Sequence, residues 1–358
     1  MKKICFVLSS LAIGGAEQVT INLANQIALD KNISITFLII KSKLDLKDRL
    51  SNKINLHILD SNKNSLSILK MLNFFKNNKF DKIFGVTDTC SSLLAIVSFF
   101  TKLEYFHISH TNWHKVLSNK PLYKFFFYIL ITLSSFRAKK WIFVSQGMLS
   151  SYRIFLGSDK KRVVIYNAAY SKKIVDHYRS INISKLDILN LVAVGRFHFA
   201  KGFDILIESI YYLKKEFPSI RLHIYGNGSE KKTLLNLISK FEIENNIVFH
   251  GFSDNVLQDL SKYYIYIHPS RWDGLPTTLI EASALGLICI SFDCDFGPRE
   301  IIQDSYSGIL IQDLENPKVL AKNISAQLNR PNFDLGYKAV LTSKKFSSET
   351  VAKEYLDI

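Results

Sequence analysis

Short apolar runs alternating with longer amphipathic stretches constrain this chain more than any other feature of its sequence. Runs at 4–9, 33–40, 54–58, 81–86, 105–109 and 140–144 read as strands, with helical spacing near 16–30, 65–77, 90–100, 121–137 and 146–155. Strand followed by helix, repeated this often, builds a parallel sheet covered by helices on both faces. The same alternation restarts at Ile188–Val194. At 358 residues the chain exceeds one ordinary core and fits two domains of about 150–200 residues each. The expected division is 1–170 and 186–345, with a polar, weakly periodic connector at 169–187 and a closing helix within 346–358.

Six places carry the chemistry. Leu11-Ala12-Ile13-Gly14-Gly15-Ala16-Glu17 joins the first strand to the first helix. Its glycines let the backbone approach a ligand, although a turn built for packing alone would use them too. It is not the GxGxxG of a dinucleotide site. His110 stands at the C-terminal end of an apolar strand, where such sheets bind ligands, and reads as a sugar or proton contact or as a loop-ordering residue. Gly195-Arg196-Phe197-His198-Phe199-Ala200-Lys201-Gly202 follows the strand 188–194 and leads into an amphipathic helix. Arg196 offers a fork of donors and Lys201 a mobile point charge, a combination suited to a diphosphate. Two further strands end in the turns Tyr225-Gly226-Asn227-Gly228 and His250-Gly251-Phe252.

The sixth place is His268-Pro269-Ser270-Arg271-Trp272-Asp273-Gly274-Leu275-Pro276-Thr277-Thr278-Leu279-Ile280-Glu281. An apolar run precedes it and a helix starts at Pro276, so backbone N–H groups point at an anion approaching the strand end. Asp273 and Glu281 frame this helix start. An ordinary strand-to-helix junction would share much of the pattern.

Together, Val194-Gly195-Arg196…Lys201-Gly202 and Pro269-Ser270…Asp273…Glu281-Ala282 resemble the signature of the retaining glycosyltransferases of family 4, which have the two-Rossmann-domain (GT-B) architecture. The resemblance spans essentially the whole chain. Asp273 departs from it by standing where that family usually has Glu, and Ala168 by replacing a Gly. It implies two doubly wound domains facing across a deep cleft, with the last helix crossing back onto the first. Arg196 and Lys201 would bind the donor diphosphate, Asp273 and His110 the transferred sugar, and Glu281 the ribose hydroxyls. Gly274, Leu275, Pro276 and Thr277 would offer backbone to the sugar and β-phosphate, the turns at Gly226 and His250 would line the nucleotide, and Gly14 and Gly15 would lie beside donor phosphate and acceptor. The Gly-Pro-x-Glu-Ile-Ile segment at 297–302 resembles members that build surface polysaccharide, lipopolysaccharide or lipid-linked glycans from UDP-sugars. The implied chemistry is front-face transfer of a hexose or N-acetylhexosamine with retention. A nucleotide-sugar-binding protein with weak turnover and a UDP-sugar epimerase are the alternative readings.

Charge divides unevenly: residues 1–185 hold 28 Lys and Arg against 10 Asp and Glu, a net +18, whereas residues 186–358 hold 18 against 21, a net −3. The basic half therefore expects an anionic partner. The segment Lys115–Trp141, aromatic and flanked by lysines, reads either as an interfacial helix or as one buried against the sheet. With no RNA- or DNA-binding motif present, the expected partner is an anionic membrane surface rather than nucleic acid. No apolar run approaches a membrane span, and Met1–Leu8 reads as a strand rather than a secretory leader. Cys5, Cys90, Cys289 and Cys294 form no metal-binding spacing. The expectation is a cytoplasmic enzyme held peripherally at the inner membrane face, without metal or cofactor, taking a UDP-sugar donor and a lipid-linked glycan acceptor.

Overall fold

A computed structural model describes residues 1–110, 121–152, 161–179 and 187–358, and for 121–127 the backbone alone. The chain divides into two compact units, Met1–Ala168 with Ser348–Ile358, and Ala169–Ser347.

In the first unit, β1 (Lys2–Leu8), β2 (Ile33–Ile39), β3 (Ile54–Ile58), β4 (Lys82–Gly85), β5 (Phe106–Ser109), β6 (Lys140–Phe143) and β7 (Arg162–Val164) form a parallel sheet. The order is β3-β2-β1-β4-β5-β6-β7. Ile4 to Leu8 are all buried, because helices cover both faces and leave no position for a polar side chain. Phe6 stacks on Phe84, and Phe84 on Phe106, linking β1, β4 and β5 across the sheet. The helix Ser348–Asp357 packs on the helix Gly15–Ile27.

Parallel strands place all their starts on one edge, and the returning helices end there. That edge is basic: β1 opens on Lys2, β4 on Lys82, β6 on Lys140 and β7 on Arg162. Buried Lys82 donates from Nζ to the carbonyls of Tyr355 (3.1 Å) and Leu356 (2.8 Å), closing the last turn of the C-terminal helix. Burial and then the Lys2 charge push its pKa down to about 8.

The second unit repeats the winding with β8 (Asn190–Val194), β9 (Arg221–Tyr225), β10 (Ile247–Gly251), β11 (Ile265–His268), β12 (Ile288–Phe292) and β13 (Ile309–Ile311), in the order β10-β9-β8-β11-β12-β13. Leu206, Ile210, Leu222, Ile224, Ile265 and Ile290 are among the residues that fill its core.

Two expectations change. The interval 169–187 is not merely a connector, since it contains the helix Lys172–Arg179. Two turns with one buried apolar residue, Val175, are too short to stand out as periodic in the sequence. The helix packs on the helices Thr277–Leu285 and Val256–Leu260 of the second unit. The first sheet also gains the three-residue strand β7, shorter than any run that alternation can reveal.

Candidate active site

In the second sheet the winding runs outward one way from β8 to β9 and β10, and the other way from β11 to β12 and β13. The loops leaving β8 and β11 therefore diverge, and a crevice opens at the C-terminal ends of these neighbouring strands. They are the Gly195–Gly202 loop and the Pro269–Pro276 loop.

Close backbone approach locks the two loops together. Gly202 lies at φ +62°, in the left-handed region, and a Cβ there would sit 2.0 Å from the Pro269 carbonyl oxygen. Arg271 N–H donates to Ala200 O at 2.8 Å. The Arg271 side chain, 9% exposed, donates a fork to Asp204 Oδ1 and Oδ2 (2.8 and 2.7 Å) and single bonds to Phe199 O and Glu315 Oε2, each 2.8 Å. Its guanidinium lies 3.9 Å over the Phe199 ring. Nothing in the sequence marks Arg271, because a salt-bridged structural arginine and a solvated one look alike in a string.

This packing brings Lys201 and Asp273 together. Lys201 Nζ donates to Asp273 Oδ2 at 2.5 Å, while Asp273 Oδ1 accepts from Gly274 N–H at 3.0 Å. His268, at the end of β11 and 3% exposed, aims Nε2 at the same Oδ2 from 3.4 Å, outside hydrogen-bond geometry. Burial alone would raise the Asp273 carboxyl; the Lys201 charge, then His268, outweigh it and hold the group well below the usual carboxylate range. Burial likewise lowers His268, against the pull of Asp273. His268 Nε2 and Ser270 Oγ are buried without a hydrogen-bond partner. Burying such groups costs about 1–3 kcal/mol each, a cost that functional sites commonly carry. Nothing in the sequence marks either residue.

Arg196 is exposed in the same loop as Lys201. Leu275 and Pro276 are buried, and the helix Thr277–Leu285 starts on Pro276, so its first N–H groups face the crevice. Thr278 Oγ1 and Tyr266 OH lie 2.8 Å apart, fixing that first turn against β11. Gly297, at φ +90°, lets the next segment close on this loop: a Cβ there would sit 2.5 Å from Pro276 Cδ and 2.9 Å from Gly274 O. Glu281, partly exposed, lies one turn further along the helix.

The Gly226 turn holds the β8 loop from the other side. Gly195 N–H donates to Tyr225 O (3.0 Å), Phe197 N–H to Asn227 O (2.9 Å) and Gly226 N–H to Gly251 O (2.6 Å). A Cβ on Gly226 would lie 1.8 Å from Gly195 O. His250 sits apart from Asp273, at the end of edge strand β10, three strand spacings or about 14 Å from β11. Its neighbours settle its tautomer. Asn190 Nδ2 donates to Asp187, leaving Oδ1 for His223 Nε2–H at 2.9 Å, so His223 Nδ1 accepts from His250 Nε2–H at 2.9 Å. His250 stacks on Tyr225, ring centroids 4.3 Å apart, and lines a groove of about 530 Å³ with Phe252 and Tyr263.

In the first unit, the helix Gly15–Ile27 starts on Gly14, and a Cβ on Gly15 would meet no heavy atom within 4 Å. His110 follows β5. Burial pushes its pKa down to about 4 against the opposing Asp88 charge, and its Nε2 is buried without a partner. Beneath it, Asp88 accepts from Ser109 Oγ and pairs with His107 Nε2 at 2.9 Å, and His107 Nδ1 meets Ser134 Oγ at 3.0 Å. Trp141 Nε1–H donates to Ser109 Oγ at 3.1 Å. His107 is thus a core residue, while His110 keeps an open nitrogen at the strand end. Among the described residues no group of three or more His, Cys, Asp or Glu side chains is placed to hold a metal ion.

Residues 176–338 match the family described as glycosyl transferases group 1. An uncharacterized glycosyltransferase of Haemophilus influenzae is 26% identical over 373 residues, all of both chains. The Anabaena Alr3699/HepE structure in complex with UDP and glucose covers 100% of this chain and 99% of its own, with a TM-score of 0.82 at 17% identity. The chain is a glycosyltransferase of the GT-B fold. An N-acetylgalactosaminyltransferase of Campylobacter jejuni, named for a diphospho-undecaprenol acceptor, is 26% identical over 201 residues, 56% of this chain and 53% of that protein.

Proposed function

We propose that this glycosyltransferase moves a hexose or N-acetylhexosamine from a UDP-sugar to a lipid-linked, lipopolysaccharide or capsule glycan, with retention and without metal. The observation that carries the reading is the Lys201–Asp273 pair at the crevice between β8 and β11. It sets a cation for the leaving diphosphate beside a carboxylate for the sugar hydroxyls, both anchored on rigid strand ends. The UDP and glucose named for the Anabaena structure support the donor class, and the undecaprenyl acceptor named for the Campylobacter relative supports a lipid-linked one.

Arg196 and Lys201 neutralise the diphosphate as the bond from its oxygen to the anomeric carbon breaks. The acceptor oxygen bonds that carbon from the same face and passes its proton to a departing phosphate oxygen. Asp273, held ionised and anchored by Gly274 N–H, orients the sugar, while Leu275 and Thr277 present backbone N–H groups on either side of Pro276. Glu281 receives the ribose hydroxyls, and Gly226 and His250 border the nucleotide. Gly14 and Gly15 offer backbone to donor phosphate or acceptor, and neutral His110 hydrogen-bonds a sugar hydroxyl. The +18 half of the chain favours attachment to an anionic membrane, at its cytoplasmic face. No helix among the described residues is long and apolar enough to cross one.

The test is UDP release from a panel of UDP-sugars and one GDP-sugar, with chelator present and membrane lipid extract as acceptor. One UDP-sugar should turn over, and Arg196→Ala and Lys201→Ala should each lower kcat by about 100-fold or more, the loss expected when an electrostatic stabiliser is removed. Unchanged turnover in both variants, or dependence on added divalent metal, would refute the mechanism.

A further inference from the structure

The sequence directs attention to Lys115–Trp141 as the membrane-facing element. Lys115–Lys120 and the side chains of Phe125, Phe126 and Phe127 lie outside the described residues. The rest of the helix Pro121–Arg137 has two faces. Ile131 and Ser134 are fully buried, while Ile129 is 50% and Phe136 65% exposed. These two lie seven residues apart and share a stripe. At the same strand-start edge of the first sheet, the neighbouring helix Asp88–Phe100 ends with Phe99 57% and Phe100 70% exposed. Arg137 ties the two helix ends together, donating to Ser98 Oγ (3.0 Å) and Ser98 O (2.8 Å) with its guanidinium 4.9 Å over the Phe99 ring.

The charge around these side chains is one-sided. Residues 97–104, 129–140 and 161–162 hold Lys102, Arg137, Lys139, Lys140, Lys161 and Arg162 against one acid, Glu104, which pairs with Lys139 at 3.2 Å. Lys161 donates to Phe136 O and Ala138 O, so part of this charge closes helix ends. That accounts for Lys161 but not for three phenyl rings left in water among these cations.

We propose that this surface, formed by the ends of the helices Asp88–Phe100 and Pro121–Arg137, docks into the headgroup layer of an anionic bilayer. Phe99, Phe100 and Phe136 enter the interface, and Lys102, Arg137 and their neighbours meet lipid phosphates. Charge selects this occupant: two copies of the chain would bring like charges face to face, whereas anionic lipid neutralises them while accepting the rings. The proposal rests on the membrane-acceptor reading and extends the docking face beyond the segment 115–141 to a second helix.

The test is co-sedimentation of the full chain with phosphatidylcholine vesicles, with and without phosphatidylglycerol, at physiological salt. The protein should bind only the anionic vesicles. Phe100→Ser with Phe136→Ser should weaken binding by about tenfold or more through lost apolar burial, and Lys102→Glu by at least about fivefold. Phe333→Ser, 54% exposed in the second unit, is the control and should bind like wild type. All variants should keep the wild-type melting temperature and UDP release with a soluble acceptor. Undiminished binding by the double Phe variant, or tighter retention by RNA than by vesicles, overturns the proposal. Binding to no vesicle at all overturns the membrane reading as well, while donor turnover, measured separately, leaves the transferase reading standing.

Discussion

Gly202→Ala is the most direct perturbation of the candidate site, since it adds one methyl group and removes no charge. Two costs follow from the structure. Alanine at φ +62° pays about 1–2 kcal/mol for the left-handed conformation. Its Cβ would also sit 2.0 Å from Pro269 O, and an ordinary contact begins near 3.4 Å, so the loops must separate by 1.4 Å. That displacement breaks the 2.8 Å bond from Arg271 N–H to Ala200 O, worth about 1 kcal/mol. The total, about 2–3 kcal/mol, should lower the melting temperature by about 5–10 °C for a unit of this size. Lys201 and Asp273 stand on opposite sides of the widened gap, and a misplacement near 1 Å lowers turnover by about 100-fold. UDP release and differential scanning fluorimetry measure the two effects. Turnover within about threefold of wild type, with melting shifted by less than about 2 °C, would refute the claim that this contact sets the site.

Three further outcomes are expected. Gly15→Ala meets empty space and should change stability by less than about 0.5 kcal/mol, yet raise the KM for donor or acceptor if that loop approaches a ligand; an unaltered KM in steady-state assays would remove Gly15 from the site. Arg271→Lys loses the fork to Asp204, and because Asp204 is partly exposed and Glu315 exposed the loss should be about 2 kcal/mol; urea unfolding, with Asp204→Asn completing a double-mutant cycle, should give a coupling above about 1 kcal/mol, and additivity would refute it. Burial, with the neighbouring His250 charge next, pushes His223 down to about 4, so between pH 6.5 and 4 the unfolded chain binds more protons than the folded one. Stability from this group is therefore complete above pH 6.5 and falls as pH drops, by on the order of 1 kcal/mol at pH 5 after allowing for solvent screening. His223→Gln should flatten the melting temperature over that range, and an unchanged pH slope would contradict the assignment.

The sequence alone determined the two parallel sheets and the positions of the glycine-bearing loops at their strand ends. Buried parallel strands must be continuous apolar runs, and the turns between strand and helix must carry glycine and polar residues; both are local requirements visible in a string. Arg196, Lys201, Asp273 and Glu281 stand out as candidates for the same reason, since each stands at a fixed offset from a strand end. Tertiary structure decided how those offsets converge. Strand order makes β8 and β11 neighbours, although 70 residues separate Val194 from Ile265, and only that adjacency sets Lys201 against Asp273. Arg271, His268 and Ser270 stayed hidden because their significance lies in what surrounds them: a fork onto Asp204, a buried nitrogen aimed at a carboxylate, a hydroxyl without a partner. His250 shows the same limit from the other side, since its hydrogen bond to His223 depends on the register between β9 and β10. The exposed rings of Phe99, Phe100 and Phe136 read in sequence as ordinary helix-face hydrophobics. They became a surface when the parallel sheet brought two helix ends to one edge.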